Sequence, residues 1–214
     1  MKGREELSEV VIGARQLAGI LGIPHDATGI VIFAHGSGSG RMSPRNNQVA
    51  AGLREAGLAT LLLDLLNPDQ EGDRRNVFDV TLLASRLSEA ADWTRTHPKL
   101  AALPIGYFGA STGAAAALIA AAEHRNVAAV VSRGGRPDLA GGALRAVRAP
   151  TLLIVGGADT PVIALNRSAF AKLSCEKDLV VVPGATHLFE EPGTLGQVVM
   201  HAKRWFRRFL SSPL

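Results

Sequence analysis

The chain has 214 residues, of which 47% are hydrophobic, and a formal charge of +4. That length and apolar content suit one domain over residues 1–214 with a sizeable core. The single cysteine, Cys175, excludes an internal disulfide framework, and a cytoplasmic setting is the expectation. No membrane association is expected, because the N-terminal stretch lacks a long apolar core and no apolar run is long enough to span a bilayer.

The first segment, EVVIGARQLAGILGIP, holds two short runs around Gly13 and Ala14 and reads as an antiparallel hairpin opening a sheet. Strand-like runs follow at Gly29–Ala34, Ala59–Leu65, Ile105–Phe108, Val127–Ser132, Thr151–Val155 and Asp178–Val182. Between them lie segments of helical period. Val49, Leu53 and Ala56 form one short stripe, and Val80, Leu83, Leu87, Ala90 and Ala91 form a longer one, broken at His97-Pro98. This alternation predicts a mostly parallel sheet with helices on both faces, whose ligands bind beyond the carboxyl ends of the strands. The last segment carries Leu195, Val198, Ala202, Trp205 and Phe209 as a buried stripe, leaving Lys203, Arg204, Arg207 and Arg208 towards water. With no interleaved aromatic platform, this basic face is a solvated surface and no nucleic-acid partner is expected.

Three glycines, Gly36, Gly38 and Gly40, follow the first parallel strand in the loop HGSGSG. The spacing is not that of a dinucleotide fingerprint, and Arg41-Met42 stands where a P-loop needs Lys and Ser or Thr. Asp64, closing the next strand, is the one feature favouring a nucleotide. Free backbone amides in such a loop have a second use, as donors to an oxyanion.

At the end of a central strand stands GYFGASTGAAAAL, where Gly109, Ser111 and Gly113 form G-x-S-x-G between strand and helix. A nucleophile elbow needs that context, with glycines where side chains would collide across the turn. The serine requires a base and an orienting acid. Asp159 follows TLLIV in GGADTP, and His187 follows LVVVP in GATHLFEEPG, giving the order Ser, Asp, His. Asp138 is the runner-up acid. His35 is expected to shape its loop, and Glu190 and Glu191 are not needed for catalysis. His25, His97, His124 and His201 show no metal spacing, so neither metal nor organic cofactor is expected.

AHGSGSG, GASTG, PTLLIVGGADTPV and PGATHLFEEPG together resemble the dienelactone hydrolase-like group of α/β-hydrolases over nearly the whole length. Dienelactone hydrolase itself is known for a cysteine nucleophile, whereas this elbow carries Ser111. The resemblance implies an α/β-hydrolase fold and a serine hydrolase of small carboxylic esters or lactones. Ser111, Asp159 and His187 would form the triad. The oxyanion amides would be Thr112 and Ser37, with Gly36 the nearest alternative to Ser37. Thioesterase, peptidase and acyltransferase activities share that machinery, and a non-catalytic scaffold retaining the fold is the alternative class. The short stretch between Ser132 and Thr151 has room for little more than one helix, which implies a site without a lid domain. Arg74, Arg75, Arg133 and Arg136 follow strand ends; solvated surface arginines are preferred over contacts to an anionic substrate. The sequence sets no oligomeric state.

Overall fold

The computed structural model describes residues 6–211. Strands β1 (Glu6–Ile12) and β2 (Leu17–Ile23) form the expected antiparallel hairpin, turning where Gly13 and Gln16 adopt positive φ. The other strands are β3 (Ile30–Ala34), β4 (Ala59–Leu63), β5 (Ile105–Ala110), β6 (Val127–Arg133), β7 (Thr151–Gly156) and β8 (Lys177–Val182). They complete an eight-stranded sheet of order β1-β2-β4-β3-β5-β6-β7-β8. β2 meets β4 antiparallel, and from β4 to β8 every pairing is parallel. β4 ends two residues before its sequence-based boundary. Leu65 instead gives its amide to His35 Nε2, at 3.0 Å.

The helices are α1 (Pro44–Glu55), α2 (Pro68–Glu71), α3 (Arg74–Phe78), α4 (Val80–Thr96), α5 (Thr112–Glu123), α6 (Thr160–Lys172) and α7 (Thr194–Phe209). Successive residues of a strand point to opposite faces, so each central strand feeds two cores. Ile32, Tyr107, Val130 and Leu153 pack with α4 and α5, while Val31, Phe33, Phe108, Val131 and Ile154 pack with α1 and α7. Ala114 to Ala117 and Ala120 of α5 are fully buried, and their small side chains let the helix lie close to the sheet. Along α7, Phe206 is fully buried and Phe209 only partly, which moves the aromatic end of the expected stripe by one turn.

Between β6 and β7 the chain makes tight 3-10 turns over Pro137–Ala146 instead of a regular helix, with Gly141 at φ 55° breaking the run. This crossover is short, as expected. Among the described residues no helix is long and apolar enough to cross a membrane.

Candidate active site

β5 delivers Ser111 at its carboxyl end, as the N-cap of α5. Ser111 has φ 51° and ψ −123°, a backbone conformation that costs a non-glycine residue of order 1–3 kcal/mol and marks a functional constraint. The flanking glycines make this turn possible. A Cβ on Gly109 would lie 2.4 Å from Ala114 Cα, and one on Gly113 would lie 2.2 Å from the Ala34 carbonyl oxygen. Ser111 caps α5 without a side-chain hydrogen bond to the helix, so its hydroxyl is not consumed in capping.

Asp159 follows β7 and begins α6, again with no cap bond from its side chain. That carboxylate reaches instead to His187, with Asp159 Oδ2 2.7 Å from His187 Nδ1. The pair spans the turns after β7 and β8. Asp159 is mostly buried while the imidazole is 38% exposed, an arrangement in which the acid fixes the ring and the ring stays reachable. With Nδ1–H donating to the carboxylate, Nε2 is left to accept a proton. The turn before His187 is tied by Glu191, whose carboxylate accepts from the Thr186 hydroxyl at 2.6 Å and its amide at 3.1 Å. Those bonds hold the Glu191 carboxyl below its ordinary range.

Ser111 and His187 line one cavity of about 700 Å³, together with the glycine loop. No direct hydrogen bond joins the two side chains; such contacts are often long before a substrate closes the site. Gly36 runs against the nucleophile, since a Cβ there would sit 2.8 Å from Ser111 Cβ. His35 shapes the loop in the way anticipated: Nδ1 donates to the Gly36 carbonyl at 2.9 Å while Nε2 accepts from Leu65. The Ser37 amide donates to Thr112 Oγ1 at 3.1 Å, which ties the loop to the first turn of α5. Asp64, the residue that favoured a nucleotide, is held by Arg41, through both the Arg41 amide at 2.7 Å and the guanidinium.

The runner-up acid, Asp138, is engaged elsewhere: Arg136 grips both its oxygens, at 2.9 and 2.8 Å. Arg74 and Arg75 are exposed, in keeping with solvated arginines. Arg133 corrects that reading. It is only 6% exposed and lines the cavity, with the Asn46 side chain of α1 beside it and the Phe189 ring beneath its guanidinium. Its Nη2 donates to Asn46 Oδ1 at 3.1 Å. Burial, and then the charge of nearby Arg45, pull its guanidinium down to about 10, well below the usual arginine range. Position after a strand was visible in the sequence; burial was not. Among the described residues no group of three or more His, Cys, Asp or Glu side chains is arranged to hold a metal.

A strained serine between a parallel strand and a helix, with acid and histidine on later strand ends, defines an α/β-hydrolase. The dienelactone hydrolase family model matches residues 17–211, and the chain belongs to that family. A dienelactone hydrolase from Anabaena variabilis shares 55% identity and superposes with a TM-score of 0.93, covering 98% of this chain and 100% of that one. Est1E from Butyrivibrio proteoclasticus, 16% identical over 96% of this chain and 99% of that one, shares the fold with a TM-score of 0.79. Curated relatives from two Mycobacterium tuberculosis strains are 59% identical over 98% of the chain, and their name assigns them, provisionally, to the phosphoribosyl transferases. The chain spans about half the length of these relatives, 48%. Family and fold support hydrolase chemistry.

Proposed function

We propose that the chain is a serine hydrolase of small carboxylic esters or lactones, working through an acyl-enzyme. The observation that carries this reading is the 2.7 Å His187–Asp159 contact in the cavity wall that also presents Ser111 on its strained turn. Ser111 Oγ attacks the carbonyl carbon as its proton passes to His187 Nε2, and Asp159 stabilises the imidazolium that forms. The oxyanion is bound by the amides of Thr112 and Ser37, the latter shared with or released by the Thr112 hydroxyl that now accepts it. His187 protonates the leaving alkoxide as the ester C–O bond breaks. Water, deprotonated by the same imidazole, then attacks the acyl carbon and returns the serine.

The phosphoribosyl transferase name of the longer relatives offers a competing reading. Against it, the chain covers only 48% of those relatives, and their name does not say which half carries the transferase. Ser111→Ala decides: ester turnover should vanish while circular dichroism stays that of the wild type. Undiminished turnover in that variant would refute the assignment.

A further inference from the structure

Arg133 ends the strand beside the nucleophile, and its carbonyl accepts the Ser111 amide at 3.3 Å. The same register that sets Ser111 therefore sets the root of this arginine. A guanidinium carries five N–H donors. Among the described residues the Asn46 side chain is its one hydrogen-bond acceptor, and Nε is buried without a partner. No carboxylate pairs with it among those residues. Arg45, in the same wall, adds a second positive charge and turns its own Nη1 outward to Glu190, at 3.0 Å. Two acids also line the cavity, but Asp64 is held by Arg41, and Glu71 is exposed on α2.

A buried charge left without a counter-ion is unfavourable unless something arrives to compensate it, and a planar guanidinium fork fits the oxygens of a carboxylate or phosphate. We propose that Arg133, assisted by Arg45, is an anion subsite of the catalytic cavity, so that the favoured ester carries an oxyanion group away from its scissile carbonyl. This rests on the ester-hydrolase reading. The anion replaces solvent on the guanidinium, draws the substrate into the cavity and orients its carbonyl towards Ser111. Charge-assisted bonds of this kind are worth about ten- to a hundredfold in selectivity.

The test compares kcat/KM on three p-nitrophenyl esters of matched acyl length: a neutral butyrate, a succinate hemiester and a 3-phosphonopropionate. The wild type should favour a charged ester over the butyrate by about tenfold or more, and which charged ester leads identifies the oxyanion. Arg133→Met should erase that preference, mainly through KM. Asn46→Asp gives the guanidinium an internal carboxylate without removing it and should weaken the preference as well, so the test survives a poorly folded Arg133→Met. No preference in the wild type, or equal losses on neutral and charged esters in both variants, would overturn the subsite. If no ester is turned over, the hydrolase reading fails, and calorimetry with glutarate and inorganic phosphate on folded Ser111→Ala protein decides the subsite alone. Binding lost on adding Asn46→Asp supports it; no binding at millimolar ligand overturns it.

Discussion

Arg133→Met should make the protein more stable. At neutral pH the arginine is charged in the folded and unfolded chain alike, but folding removes it from water with one neutral acceptor. Each tenfold change in acidity is worth about 1.4 kcal/mol, so the fall from the ordinary arginine range to about 10 costs the fold about 3 kcal/mol. The sign follows from linkage: a base whose folded pKa lies below its unfolded value destabilises the native state wherever it is charged. The penalty is complete below about pH 10 and fades as the pH climbs from there towards the range of a free guanidinium. Substitution also has losses. Asn46 Oδ1 forfeits its donor, about 1–2 kcal/mol, and the contact over the Phe189 ring at 6.0 Å contributes about 0.5–1 kcal/mol. The balance is a gain of about 1 kcal/mol, or a rise in Tm of about 2–4 °C for a chain of this size. Thermal and urea unfolding at neutral pH read it directly, and saturating glutarate should raise the wild-type Tm but not that of the variant. Destabilisation by more than about 1 kcal/mol, with no glutarate effect in either protein, would mean that Arg133 holds the fold together instead of awaiting a ligand.

Asp159→Asn should leave the fold intact and lower ester kcat by about 10³- to 10⁴-fold, because the amide no longer favours the Nδ1–H tautomer or supports the imidazolium; steady-state kinetics with a chromogenic ester would show it. Gly36→Ala places a methyl 2.8 Å from Ser111 Cβ and 3.1 Å from the Ala110 carbonyl oxygen, where neighbouring backbone has little room to yield. It should lower kcat by about a hundredfold and stability by about 1–3 kcal/mol, measured by kinetics and thermal melts of the same preparation.

Much of this architecture is written in local pattern. The strand at Ile105–Ala110, the glycines either side of Ser111 and the alanine-rich α5 are adjacent in sequence, so one window of residues specifies strand, turn and helix together. Asp159 and His187 were legible for a related reason: each follows an apolar run, and in a parallel sheet every strand end arrives at the same rim. The short helices α2 and α3 were not legible, since four or five residues show no stripe and depend on Asn67, with Gln70, and on Asp73 to close their first turns. Arg133 was misread because its burial is made by two remote segments, Asn46 on α1 and Phe189 after the histidine turn, which no local pattern relates. The reverse holds for Asp138, where a strand-end acid looked available but Arg136, two residues away, neutralises it. Position after a strand is a topological signal; the partner of a charged group is set by tertiary contact.

The most direct measurement is chemical: the folded protein is treated with a fluorophosphonate, digested, and the modified residue located by mass spectrometry. An activated hydroxyl at the elbow should take the label in stoichiometric yield on Ser111, with ester turnover falling in parallel and His187→Ala abolishing the reaction. A folded protein that turns over esters while Ser111 stays unlabelled, or that takes the label equally without His187, contradicts the serine-triad mechanism at its root.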